Sequence, residues 1–330
     1  MGSSSWSDAA YAARQTHRHS SGATAFTYDH HVRSTGKVGV HPQMNPHGVT
    51  RESRNSAAHP DSLSIAVMFD VTGSMGNVPR VLQTKLGALM RVLIQRGYLA
   101  HPQMMFGAIG DAYCDQVPLQ VGQFESGLEM DDELGKIYIE GGGGGQVHES
   151  YELAMYFVAR HTAIDCFDKR SQRGFLFTIG DELPYDHVSR SQVATLMGDR
   201  LQRDIPIAKI VAEVQERYHY FHIIPTNTSH GRDPSIQAAW RKLLGERVLL
   251  LEDEAAVCET IALTIGLCAG AVDDLGTAGD DLVTAGCDAD AVATASTALR
   301  PYAASQPPVA RVATGLLPIA PTVYLGDGRL

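Results

Sequence analysis

A carboxylate and two hydroxyls, Asp70, Thr72 and Ser74, occupy alternate positions at the end of the apolar run SIAVMFD, residues 64–70. On an extended turn, alternate side chains point to one side. Oxygens gathered that way suit a hard divalent cation: Mg²⁺ takes oxygen ligands octahedrally at roughly 2.0–2.1 Å and keeps some of its water. Gly73 relieves crowding in the turn, and a helix starting just beyond would offer free N–H groups to orient carboxylates. Ser74 also reads as a helix N-cap and Thr72 as a turn residue, so the spacing alone is weak. Its setting, between an apolar strand and an amphipathic helix, strengthens it. A second acidic strand end, Gly180-Asp181-Glu182, could bring another carboxylate to the same edge, and Asp111 closes a third run, MMFGAIGD.

The order of elements decides how these acids meet. Residues 64–70 read as a central strand buried on both faces. Residues 77–95 carry Val78, Val81, Leu82, Leu86, Leu89 and Leu93 at helical spacing, and Gly97 stops them. Strands follow at 104–111, 174–181, 218–225 and 247–251, with a short edge strand within 118–124. Helices are expected near 128–138, 149–163, 206–215, 235–244 and 254–267. Repeated β–α units of this length predict an α/β fold: a doubly wound, mostly parallel central sheet with helices on both faces. Ligands in such sheets bind beyond the strand carboxyl ends, at the topological switch point.

The string FDVTGSM followed by an amphipathic helix resembles the metal-ion-dependent adhesion site of the von Willebrand factor A domain family. The resemblance covers roughly residues 62–268 and implies that family's Rossmann-like fold. It implies Asp70, Thr72 and Ser74 as the first ligand loop and Asp181, in FTIGDE, as the later acid, ligating directly or through water. The family's intermediate Thr has no counterpart here. At the expected distance stands Gly141–Gly145 followed by Gln146, Val147, His148 and Glu149, so Glu149 is the first substitute and Gln146 the second. The implied cofactor is Mg²⁺ or Mn²⁺, bound without catalysis. The implied function is a metal-dependent protein–protein interaction scaffold in which a partner's Asp or Glu completes the ion's shell. Intracellular members resemble scaffolds acting with AAA+ ATPases, kinases or other assembly factors, which makes such a protein the expected partner.

A rival enzyme reading starts from the same residues. Asp70-Val71-Thr72-Gly73-Ser74 also resembles the nucleophile loop of haloacid-dehalogenase-like (HAD-like) phosphotransferases and phosphatases, with Asp70 attacking a phosphoryl group and Asp181, Glu182 and Asp186 as later acids. Against it, Thr72 cannot act as a general acid, and no Lys stands shortly before Asp181 to neutralise phosphoryl charge. The glycine run lacks the Lys-Ser/Thr ending of a phosphate loop and reads as flexible backbone around a site. His148 with Glu149 could form a catalytic pair or start a helix. Asp111 and Asp115 either support the metal from behind or cap their loop.

The rest of the chain bounds the reading. Its 330 residues are 44% apolar and 19% charged, ordinary for a globular protein. The longest apolar runs fall far short of the roughly 18–20 residues a membrane helix needs. Residues 1–21 lack the apolar stretch of a secretory signal. Five scattered cysteines without CxxC spacing argue for a reduced, cytoplasmic protein with no thiolate zinc site. The net charge is -10, and residues 1–60 hold a local excess of three positive charges, leaving the remainder near -13. That is a poor footprint for nucleic acid, and neither nucleic acid nor membrane is an expected partner. Three stretches are expected: a polar arm over 1–60 with seven of the 14 histidines, a core domain over 61–269, and an Ala/Asp-rich helical segment with a Pro/Ala tail over 270–330.

Overall fold

The computed structural model describes residues 4–75, 77–142 and 147–306, with Ser74 described through its backbone alone. Six strands form the main sheet: β1 (Leu63–Asp70), β2 (Pro102–Ile109), β3 (Leu119–Val121), β4 (Gly174–Ile179), β5 (Tyr218–Pro225) and β6 (Val248–Leu251). Their spatial order is β6-β5-β4-β1-β2-β3. All neighbours run parallel except β3, which pairs antiparallel with β2. Every residue of β1 is buried, as expected of a strand covered on both faces. The chain moves from β1 to β2 on one side and later places β4 on the other. The order therefore reverses beside the end of β1, where Asp70 lies.

Twelve α-helices lie among the described residues. They are α1 (Asp8–Ser21), α2 (Thr27–Thr35), α3 (Val78–Gln95), α4 (Glu129–Gly135), α5 (Tyr151–Arg160), α6 (Asp165–Arg170), α7 (Arg190–Leu196), α8 (Ile207–Arg217), α9 (Pro234–Leu244), α10 (Val257–Cys268), α11 (Leu275–Thr284) and α12 (Ala289–Ser305). In α3 the expected stripe faces inward, with Val78, Leu82, Leu86, Leu89 and Leu93 all buried. Helices α3, α10 and α12 pack in series, and α5 packs on α8. No helix among the described residues is long and apolar enough to cross a membrane.

The flanking stretches depart from the sequence expectation. Residues 1–60 show little apolar periodicity, yet α1 and α2 form there and dock. Ser7 caps α1 through Ala10 N–H, and Gly22 ends it in the left-handed conformation. One aromatic does most of the packing: Tyr11 is buried, and its ring lies where a side chain on Gly87 would be, 2.8 Å from an ideal Cβ. Both Arg18 guanidinium nitrogens donate to the buried Asp131 carboxylate, at 2.8 and 2.6 Å. The Arg51-Glu52-Ser53-Arg54 segment braces the domain. Arg51–Ser53 pairs in parallel with Thr162–Ile164, and Arg54 reaches Asp165 at 2.9 Å.

At the other end, residues expected in an extended tail complete α12 as far as Ser305, because Leu299 and Tyr302 are buried and the Tyr302 ring meets Phe221 edge-on at 4.9 Å. The remainder of that tail, residues 307–330, lies outside the described residues. Tyr11, Phe26, Met44, Leu282, Leu299 and Tyr302 all belong to the same apolar core as β1. The five cysteines are free thiols, only Cys114 being exposed.

Candidate metal centre

The Asp70 carboxylate is fully buried at the end of β1. Its Oδ1 accepts both the Thr72 N–H at 2.7 Å and the Thr72 hydroxyl at 2.6 Å. Oδ2 is shut off from water and has no hydrogen-bond partner among the described residues. Thr72 thus fixes the rotation of Asp70 and leaves one oxygen bare. The turn is steadied by the glycine segment: Gly73 N–H donates to the Gly142 carbonyl at 2.9 Å, and Gly141 N–H to that of Val71 at 3.2 Å. Arg33 of α2 ties down the approach to this segment by donating to the Ile139 carbonyl at 2.7 Å.

Glu149 arrives by a route that helical periodicity does not foretell. Instead of starting α5, His148–Glu149 forms a two-residue parallel ladder with Leu183–Pro184. The helix begins at Tyr151, because Ser150 is turned toward the neighbouring loop, where its hydroxyl accepts the Ala112 N–H at 2.9 Å. The ladder carries Glu149 to the segment just after β4, which bears Asp181 and Glu182. Glu182 is anchored from α9, whose Trp240 indole donates to its carbonyl at 2.8 Å. Glu149 Oε2 and Glu182 Oε2 are buried and have no hydrogen-bond partner among the described residues.

These acids fall into two overlapping groups. Oxygens of Asp70, Glu149 and Glu182, all buried, lie within 4.8 Å of one another. Ligating atoms of Asp181, Glu182 and His230 satisfy the same limit. Asp181 Oδ2 accepts the His230 N–H at 2.9 Å, which folds the loop after β5 over the site. The nearness of Asp181 is felt by Asp70, whose carboxyl is held above the usual range first by burial and then by the Asp181 charge. Burial first and then Asp70 likewise raise Glu149 and Glu182, with Glu182 adding to the rise of Glu149 and Asp181 to that of Glu182. The Tyr151 hydroxyl, buried and without a hydrogen-bond partner among the described residues, is pushed well up by burial and by these four acids. Gly180 is what admits it: an ideal Cβ there would stand 1.8 Å from the Tyr151 hydroxyl.

Burying a charge without a counterion or hydrogen bonds is costly. Three neighbouring carboxylates, each with a bare oxygen, are therefore what a hard cation would relieve, and oxygen donors of this kind suit Mg²⁺ or Mn²⁺. The structure brings together Asp70 and Glu149 from the expected set and sets Thr72 as the support of Asp70. It places Asp181 in the second group. The Ser74 side chain and Gln146 lie outside the described residues. The sequence offers Glu182 only as a later acid of the phosphotransferase reading and does not single out His230, which sits in a polar loop, TNTSHGRD, with no periodic signal. Asp111 and Asp115 serve their loop. Asp111 accepts from Tyr113 N–H, Cys114 Sγ and Tyr185 Oη, and Asp115 Oδ2 accepts the Asp111 N–H at 2.7 Å. None of the seven histidines before residue 60 joins a group of three or more potential ligands among the described residues.

No family model and no curated protein matches the chain. Among solved structures, the pilus adhesin SpaC of Lactobacillus rhamnosus GG in its open conformation aligns with 67% of this chain and 31% of its own, at 9% identity and a TM-score of 0.44. Proximal thread matrix protein 1 of the mussel byssus aligns with 65% of this chain and 50% of its own, at 10% identity and a TM-score of 0.41. The chain thus spans about a third of the adhesin's length and half of the byssus protein's.

Proposed function

We propose that this chain is a cation-dependent protein-binding module of the von Willebrand factor A type, with helices on both faces of a doubly wound sheet and no catalysis of its own. The ion is Mg²⁺ or Mn²⁺, held by Asp70, Glu149 and Glu182. When bound it supplies an electrophilic point to which a partner protein's Asp or Glu can attach. The chain's own residues do the positioning. Thr72 orients Asp70, the His148–Glu149 ladder delivers Glu149, and Trp240 fixes Glu182 through its carbonyl. The observation that carries this reading is the gathering of Asp70, Glu149 and Glu182, each with one buried carboxylate oxygen that has no hydrogen-bond partner among the described residues.

The partner is a protein presenting a carboxylate, an AAA+ ATPase or other assembly factor being the class that the sequence resemblance suggests. The phosphotransferase reading draws less support. Helix α3 begins at Val78, close behind Asp70, and the Thr72 hydroxyl is engaged with the carboxylate that would have to be the nucleophile. Calorimetric titration with Mg²⁺ and Mn²⁺ tests the proposal on wild type and Asp70→Ala. Binding by wild type and none by the variant is expected, and identical titrations would overturn it. Acetate, as a stand-in for a partner's side chain, should then lower the water-proton relaxation caused by bound Mn²⁺ by displacing a water.

A further inference from the structure

The two groups of ligating atoms share Glu182, and their charges do not balance around one ion. Together they hold four carboxylates, Asp70, Glu149, Asp181 and Glu182, with the His230 imidazole beside them. A single divalent cation offsets half of the formal charge of four ionised carboxylates in a buried place, where uncompensated charge is most costly. Two divalent cations offset all of it. We propose that the site binds a pair of divalent cations bridged by Glu182, one ion among Asp70, Glu149 and Glu182 and the other among Asp181, Glu182 and His230. This inference rests on the cation-binding reading above and extends it in stoichiometry and in the type of metal.

The placement of Glu182 supports a bridge. The residue is only 7% exposed, and its two oxygens differ: Oε1 lies 3.5 Å from His230 Nδ1, whereas Oε2 has no hydrogen-bond partner among the described residues. His230 Nδ1 is itself closed off from solvent and lacks a hydrogen-bond partner among the described residues. An imidazole nitrogen so placed is available as a metal ligand. The loop bearing it is pinned on both sides. His230 N–H donates to Asp181 at 2.9 Å, Asp233 N–H donates to the His230 carbonyl at 2.8 Å, and a side chain on Gly231 would run into the Pro225 carbonyl, 1.9 Å from an ideal Cβ. Ions sharing a carboxylate in this way typically stand roughly 3.5–4 Å apart. The all-oxygen group suits Mg²⁺ or Mn²⁺. The group with a nitrogen favours Mn²⁺, Co²⁺ or Zn²⁺ over Mg²⁺, since imidazole suits the transition metals. Two ions would also remove an obstacle to the proposed partner contact. A site of net negative charge repels an incoming carboxylate, and a neutral one does not.

Mn²⁺ alone is the probe. Equilibrium dialysis of the full chain should give two Mn²⁺ per chain, with the electron paramagnetic resonance spectrum of an exchange-coupled pair. His230→Ala, in a loop and partly exposed, should retain one Mn²⁺ and show the six-line spectrum of an isolated ion. Glu182→Gln should lose the coupling as well. One Mn²⁺ per chain in the wild type would overturn the inference while leaving the cation-binding reading intact, as would two that His230→Ala leaves unchanged. No Mn²⁺ bound at all would overturn both.

Discussion

Glu149 and Glu182 bring carboxyl oxygens within 4.8 Å of each other, held there by the parallel ladder of His148–Glu149 with Leu183–Pro184. Two buried carboxylates this close repel, which opposes ionisation of both without a cation. Burial and neighbouring acids hold both groups above the ordinary carboxylate range, in the direction this requires. A cation bound there would favour the ionised forms and release protons. Affinity for Mn²⁺ should therefore rise with pH, by about tenfold per unit for each proton released. Calorimetry at one pH in two buffers of different ionisation enthalpy measures the proton count directly; equal heats in both would show that no proton leaves.

Stability without metal should follow the opposite trend. Glu152 is fully buried, with Oε1 unpartnered, and burial raises its carboxyl from 4.5 to about 8. Between those values the folded state holds a proton that the unfolded chain has lost, so stability falls as pH rises through this window and levels off above about 8. Each unit of such a difference is worth about 1.4 kcal/mol. Glu152→Gln should be more stable than wild type at pH 8, little changed at pH 4, and flatter between them. Urea denaturation at the two pH values checks it, and a variant destabilised at pH 8 would speak against it.

Docking of the N-terminal helix depends on Arg18 and Asp131. Burial works against the ionised Asp131, but hydrogen bonds from Arg18 and Gln83 outweigh it and hold the carboxyl below its usual range. That contribution is present above the unfolded carboxyl value and lost as pH falls. Arg18 is partly exposed and can be rehydrated, so losing its hydrogen bonds to the buried Asp131 costs about 1.5–3 kcal/mol, the range for bonds to a charged group. Asp131→Ala should lower the unfolding midpoint and expose the segment over 8–21 to protease. Unaltered cleavage in that segment would contradict the latch.

Gly180 keeps the space that the Tyr151 hydroxyl occupies. Gly180→Ala forces a methyl to within 1.8 Å of that oxygen, and strain of this kind costs about 1–3 kcal/mol. The variant should also weaken Mn²⁺ binding, since Asp181 and Glu182 follow directly. Adding Tyr151→Phe removes the nearest atom and should restore part of both losses, although the ring carbon 2.8 Å away remains. Losses that the second substitution leaves wholly unchanged would point to another cause.

What could be read from the sequence follows the size of the energetic signal. The strand ending at Asp70 is legible because eight consecutive buried residues leave an unbroken apolar record, and β5 falls on 218–225 as expected. The stripe of α3 is visible for the same reason. Helix α1 escapes because one ring, Tyr11, supplies its burial; the legible traces were the Ser7 cap and Gly22, which apolar periodicity ignores. The extra donors of the site are harder still. Glu149 depends on a ladder of two residues, too short for any period, and His230 on a loop closed by its own backbone N–H to Asp181. Contacts between loops distant along the chain leave no local pattern to read.

The inner position of β1 has a consequence for how the site opens. Its amides are enclosed between β2 and β4, so they should be among the last to exchange with deuterium, whereas the short ladder at His148–Glu149 should exchange early. Asp70 is then a fixed post and Glu149 a hinged arm, and an arriving ion would be met first by the post and afterwards clasped.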